Sequence, residues 1–181
     1  MNWFRLTVLL LFFSQTNTIY SQLNNIIPTP KEQTIKNGFM LIENNPEIIT
    51  NDKFKSASTL LKNAINELNL DNDEKPKNRI KFSYNKKLDN EEYILRINSN
   101  LITISASTEN GAIFGFQSLN QLMNLNLNNG VIKLKNQEIK DSPRFKYRGM
   151  HLDVGRHMYP VDFIKKYIDG LAMLKFNNFH W

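Results

Sequence analysis

Residues 147–181 constrain the fold more than any other stretch. An apolar strand pattern runs through 147–154, Gly155-Arg156-His157 forms a loop, and Pro160 opens a helical pattern, a position where the fixed φ of proline suits a first turn. Ile164, Ile168, Leu171 and Ala172 form the expected buried stripe of that helix, with Lys165, Lys166 and Asp169 on its wet face. Lys175 falls in the last turn, where a cation complements the helix dipole. Residues 176–181 then begin a second apolar strand. Strand, loop, helix and strand within about 35 residues make a βαβ unit, and a parallel pair needs cover on both faces. More chain is therefore expected beyond Trp181.

Upstream, residues 26–143 switch between period two and period 3.6, the mark of an α+β domain. Phe39-Met40-Leu41-Ile42 follows Asn37-Gly38 as a short strand. Phe54, Ala57, Leu61, Ala64, Ile65 and Leu68 share one helical face, with Asn51 or Asp52 available as its cap. Ile80, Phe82 and Tyr84 alternate along another strand, and 93–97 and 101–104 form a hairpin across Asn98-Ser99-Asn100. A second helix spans 111–123, where helical spacing assigns the aromatics and Met123 to the core. Two strands, at 131–134 and 137–140, close an antiparallel sheet, and Asp141-Ser142-Pro143 marks the boundary. Three units are expected: a signal peptide at 1–22, a small α+β domain at 23–143, and the start of a second domain at 144–181.

The leader is read from Arg5 followed by a nearly unbroken apolar run at 6–13 and a polar stretch at 14–22. That run is far short of the ~20 residues that span a bilayer. The mature protein is expected to be exported, periplasmic or extracellular, and without a stable membrane span. A hydrophobic content of 41% supplies a real core, which excludes wholesale disorder. Zero Cys excludes disulfides, thiolate metal sites and Cys nucleophiles. The balance of 23 Lys+Arg against 17 Asp+Glu gives +6, but the cations are spaced along the chain with no interleaved stacking aromatics. Nucleic acid is therefore not an expected partner. His151, His157 and His180 lack the spacing of a metal site. No metal and no cofactor are expected.

The segment from Pro143 through Arg148-Gly149-Met150-His151-Leu152-Asp153-Val154-Gly155-Arg156-His157, continuing to Lys175-Phe176-Asn177-Asn178-Phe179-His180-Trp181, resembles the opening of the catalytic barrel of family 20 glycoside hydrolases, the β-N-acetylhexosaminidases. Ile27-Pro28-Thr29-Pro30 and the helix from Gly111 to Met123 resemble the start and the last helix of that family's small domain. The most specific element is the Arg148-Gly149 strand joined to the 153–157 loop.

The resemblance implies a small α+β domain, an antiparallel sheet with two helices, followed by the first βαβ unit of a truncated (β/α)8 barrel. It implies hydrolysis of terminal non-reducing N-acetylhexosamine, in an oligosaccharide or glycoconjugate, by substrate-assisted retaining catalysis. In such enzymes the 2-acetamido carbonyl is the nucleophile, and an adjacent Asp-Glu pair orients it and serves as acid and base. The resemblance makes Arg156 the substrate-binding residue, donating to hydroxyls of the terminal sugar. Asp153 and His157 are expected to be structural, and His151 to be packed. The one Asp-Glu step, Asp73-Glu74, lies in a charged loop of the small domain and is not the catalytic pair. No catalytic residue is expected in this chain, and Met158 stands where an aromatic is usual. The fragment is expected to be inactive alone. The alternative is a secreted, non-catalytic carbohydrate-binding or accessory module.

Overall fold

The computed structural model describes residues 26–70 and 75–181. The leader at 1–22 and the Asp73-Glu74 step lie outside the described residues.

The chain order is β1 (Glu32–Ile42), β2 (Glu47–Ile49), a 3₁₀ turn (Asp52–Phe54), α1 (Lys55–Glu67), β3 (Arg79–Tyr84), β4 (Tyr93–Ile97), β5 (Leu101–Ala106), α2 (Glu109–Leu125), β6 (Leu127–Asn128), β7 (Val131–Asp141), β8 (Gly149–His151), α3 (Val161–Met173) and β9 (Asn178–His180). The first seven strands form one sheet in the order β1-β7-β4-β5-β3-β2, with β6 paired to β7. The expected antiparallel sheet is mixed. β1 with β7, β7 with β4 and β4 with β5 are antiparallel, but β2 with β3 and β3 with β5 are parallel. The β2–β3 pair is parallel because α1 carries the chain back between them, whereas β3 lies parallel to β5 because the intervening strand β4 pairs with the other edge of β5. The expected strands at 131–134 and 137–140 are one strand, β7, and the expected four-residue first strand is the end of the eleven-residue β1. A register shift between Ile35 and Phe39 lets β1 continue. Gly38 there has φ 92, and a Cβ on it would meet Asn136 Nδ2 at 2.7 Å.

Both helices of the small domain lie on one face of the sheet. Ile80, Phe82, Leu95, Ile97, Ile102 and Ile104 point from the strands into a core closed by Phe54, Leu61 and Leu119, all buried. Local chemistry fixes the helix starts. Asn51 caps the 3₁₀ turn by accepting from Lys53 N at 3.0 Å, and Thr108 caps α2 by accepting from Gly111 N at 3.2 Å. Glu109 in the first turn of α2 reaches across to accept from Ala57 N at 2.7 Å. One carboxylate thereby satisfies an otherwise unpartnered donor of the neighbouring helix. Asn129 and Gly130, at φ 49 and 77, make the tight turn from β6 to β7 that needs positive φ at both central positions.

The C-terminal segment is a two-stranded parallel sheet of β8 and β9, joined through α3. It packs on the helical side of the small domain, where Gln121 of α2 donates to Met173 O at 3.1 Å and clasps Ile27 through its N and O, each at 2.8 Å. Of the expected stripe on α3, Leu171 is buried and Ile164 half-buried, while Ile168 and Ala172 are exposed. Among the described residues, no helix is long and apolar enough to cross a membrane.

Candidate active site

The C-terminal ends of β8 and β9 stand side by side, with His151 in register with His180. Leu152 N donates to His180 O at 2.9 Å and extends the pairing by one step. The chain then turns through 153–157. Asp153 Oδ1 accepts from Gly155 N at 3.0 Å and from Arg156 N at 3.2 Å, an Asx-type turn in which the side chain replaces a backbone acceptor. Its Oδ2 receives Arg156 Nη1 at 2.9 Å. Asp153 thus shapes the loop and holds the guanidinium, and the Arg156 side chain remains 91% exposed. His157 is exposed, with its Nδ1 3.2 Å from Arg156 O, and Met158 is exposed beside it. His151 is not packed as expected. It is exposed, and its Nδ1 lies 3.2 Å from Nδ1 of His180, with the rings edge to face. Its neighbour Met150 is exposed too, so successive side chains on both faces of this short strand lack cover among the described residues.

A second cluster was not anticipated. Lys175 lies beyond the helix, not in its last turn, at φ 62 and only 6% exposed. Its ammonium donates to Asp141 Oδ2 and to Tyr93 Oη, both at 2.9 Å. The Tyr93 hydroxyl also sits 3.0 Å from Asp141 Oδ2 and 2.6 Å from Ser118 Oγ. Burial, opposed by the Asp141 charge, holds Lys175 below the ordinary ammonium value. Burial and the same carboxylate push Tyr93 well above the ordinary phenol value. Nearby, Arg148 makes a two-pronged pair with Glu91 at 2.9 and 3.2 Å and donates to Lys175 O at 2.8 Å and Phe145 O at 2.7 Å. Asn177 ties the strand starts together, accepting from Arg148 N at 3.0 Å and donating to Lys146 O at 2.8 Å. Glu91, Tyr93, Asp141, Arg148 and Lys175 border a cavity of about 500 Å³ between the small domain and the β8–α3–β9 unit. Most of their donors are spent on one another and on neighbouring carbonyls, so the cluster joins the two parts.

Residues 23–142 match glycosyl hydrolase family 20, domain 2, and residues 145–181 match the catalytic domain of the same family. The chain belongs to glycosyl hydrolase family 20. The β-hexosaminidase of Porphyromonas gingivalis is 33% identical over 176 residues, 90% of this chain and 23% of that protein. The β-hexosaminidase of Vibrio furnissii is 40% identical over 97 residues, 54% of this chain and 16% of that protein. Among solved structures, the family 20 exo-β-N-acetylglucosaminidase from Vibrio harveyi in complex with N-acetylglucosamine matches with a TM-score of 0.78 at 28% identity, covering 87% of this chain and 25% of that one. The β-N-acetylhexosaminidase of Bacteroides fragilis matches at 0.74 and 31%, covering 87% and 33%. This family 20 chain spans between 16% and 33% of the length of these four relatives.

The family 20 chain carries two arginines in its most specific motif, and they are not equivalent. Arg148, at the foot of β8, is consumed by the joint between the two parts. Arg156, at the strand's C-terminal end, has one ion pair and a guanidinium open to solvent. That open fork suits a pair of neighbouring hydroxyls. The joint of Lys175, Asp141 and Tyr93 could be suspected from sequence only in that Lys175 directly follows an apolar helix. Its partners lie 34 and 82 residues away.

Proposed function

We propose that this chain is the N-terminal portion of an exported β-N-acetylhexosaminidase that removes terminal non-reducing N-acetylhexosamine residues. Residues 23–143 form its small domain, and β8, α3 and β9 are the first βαβ unit of its (β/α)8 barrel. The tandem match of both family 20 domains over consecutive residues carries the reading. Export rests on the apolar run at 6–13.

Arg156 binds hydroxyls of the terminal sugar, with Asp153 fixing the loop that presents it. In the reaction the substrate's acetamido oxygen attacks the anomeric carbon from the face opposite the leaving group. An acid protonates the departing oxygen, and water then opens the cyclic intermediate, so two inversions give retention. The Asp-Glu pair for these steps belongs to the part of the relatives that this chain does not span, and the 181 residues alone are inactive.

The test expresses the full reading frame and the 181-residue chain on a chromogenic N-acetyl-β-glucosaminide, with Arg156→Ala beside the full protein. Loss of a charged hydrogen-bond donor costs about 1.5–3 kcal/mol, or roughly 10- to 150-fold in kcat/KM. An Arg156→Ala enzyme with unchanged kcat/KM overturns the sugar-binding role. A frame that encodes no hydrolysis overturns the enzyme reading and favours a binding module.

A further inference from the structure

The cations that are spread along the sequence are gathered by the fold. The sheet has one face under α1 and α2, and the strand registers fix which side chains occupy the other. Across its middle row, Lys81 stands beside Thr103, Thr103 beside Arg96, Arg96 beside Glu138 and Glu138 beside Thr34. Arg79 lies two residues from Lys81 on β3. Lys133 and Lys135 lie on the same face of β7, opposite Leu41 and Phe39 of β1. Lys140 lies opposite Glu32, and Lys36 reaches Glu138 at 4.0 Å. That face carries seven cations against three carboxylates, Glu32, Glu47 and Glu138, a surplus of four out of the chain's net +6.

Several of these charges are not cancelled. Glu138 serves Arg96, Lys140 and Lys36 at once, and Glu32 serves Lys140. Arg79, Lys81 and Lys135 make no ion pair among the described residues, and Lys133 sits 4.5 Å above the exposed Phe39 ring. Adjacent strands are about 4.8 Å apart, so Lys81 and Arg96 are separated by about 10 Å and the whole row from β3 to β7 by about 14 Å. A solvent-facing sheet surface with that surplus of cations is the footprint of an extended polyanion.

We propose that this open sheet face binds an anionic polysaccharide, a chain of sugars bearing carboxylates or sulfates. The choice of partner rests on the reading above of an exported glycan-processing enzyme, and on the shape of the surface. Among the described residues the face offers one exposed aromatic, Phe39, whereas single-stranded nucleic acid is held by a series of stacking rings. It lies on the far side of the sheet from β8 and β9. A polymer held there stays clear of Arg156, so the face anchors the protein to an acidic glycan without occupying the sugar pocket.

The test measures binding of the 181-residue chain to dextran sulfate and to polygalacturonate, with neutral dextran, a single-stranded oligonucleotide and phosphatidylglycerol vesicles alongside. The wild type is compared with Lys81→Glu/Lys135→Glu and with Lys165→Glu/Lys166→Glu, which makes the same charge change on the exposed face of α3. Both charged polysaccharides are expected to bind in a salt-dependent way and dextran not at all. The sheet-face variant should bind about tenfold more weakly, and the helix variant should match wild type. Equal loss in both variants, absence of binding, or tighter binding to the oligonucleotide or the vesicles overturns the proposal. Binding is read without hydrolysis. A sheet-face variant of the full protein that still cleaves a neutral chromogenic substrate separates this proposal's failure from failure of the enzymatic reading.

Discussion

Replacing Lys175 by Met removes a buried cation while keeping most of its volume. In the native protein the ammonium is 6% exposed and the Asp141 side chain 12% exposed, 2.9 Å apart. After the substitution Asp141 keeps two neutral donors, Tyr93 Oη at 3.0 Å and Lys31 N at 3.3 Å, but loses the one cation paired with it among the described residues. Breaking one side of a buried ion pair costs about 3–5 kcal/mol because the remaining charge is left desolvated. The two surviving donors place this case at the lower end, about 3 kcal/mol. For a domain of ordinary stability that is a large fraction of the total. Pairing Lys175→Met with Asp141→Asn removes both charges and should recover much of the loss, leaving a cost of about 1–2 kcal/mol. Urea unfolding followed by far-ultraviolet circular dichroism reads both. With a slope of about 2 kcal/mol per molar, the single variant's midpoint should fall by about 1.5 M and the double variant's by less. A single-variant shift under about 0.5 M, or strictly additive losses, would show that the pair does not hold the two parts together.

Tyr93→Phe should alter the alkaline limb of stability. The folded state keeps the phenol proton to a pH above the unfolded value of 10.0, so the native protein binds more protons there and loses stability as pH rises above about 10. Lys175, depressed by burial, acts in the opposite direction just below 10.5. Urea midpoints between about pH 9 and 11 should therefore fall less steeply, or rise, in Tyr93→Phe. Gly115→Ala places a Cβ 2.6 Å from Ile104 Cγ2 and 3.2 Å from the Tyr93 ring, so α2 must lift from the sheet, at about 1–3 kcal/mol in the same unfolding assay. Arg156→Ala, by contrast, should leave the stability within about 0.5 kcal/mol of wild type, since its side chain is solvent-exposed.

Elements with a strong period were legible in the sequence: α1, α2, β3 and the β4–β5 hairpin bury regular apolar positions, and α3 was legible although Leu171 alone of its stripe is buried. The elements that were missed lack that signal for physical reasons. β2 is three residues long, too short for alternation to register. The first half of β1 is a sheet edge with water on one side, so Glu32, Gln33, Thr34 and Lys36 look like loop. Lys135-Asn136-Gln137 looks like a turn because consecutive polar residues interrupt the apolar alternation of β7 opposite the β1 irregularity. Strand direction is not encoded locally at all, which is why the sheet was expected to be antiparallel. Likewise the Asp153–Arg156 contact was legible because its partners are three residues apart. The Lys175–Asp141–Tyr93 joint needs the tertiary fold to bring its members together.

The division of labour between the motif's two arginines gives a sharper test of the site than either alone. Arg148 uses Nε, both directions of Nη1 and one of Nη2, so at least four of its five N–H donors are committed to Glu91, Phe145 O and Lys175 O, and its side chain is 15% exposed. A lysine there cannot reproduce a fixed fork, and three donors on a flexible stem cannot reach three separated acceptors. Arg148→Lys should therefore cost stability, about 2–3 kcal/mol by the loss of charged hydrogen bonds to partners that stay buried. Arg156 spends one donor on Asp153 and holds the rest in solvent. Arg156→Lys should leave unfolding unchanged and, in the full-length protein, reduce kcat/KM on the chromogenic sugar through the loss of two-pronged donation. If Arg148→Lys unfolds at the wild-type urea midpoint, the joint is not what fixes β8. If Arg156→Lys lowers the midpoint as much as Arg148→Lys does, Arg156 is a structural residue, and the open fork at the strand end has no bearing on sugar binding.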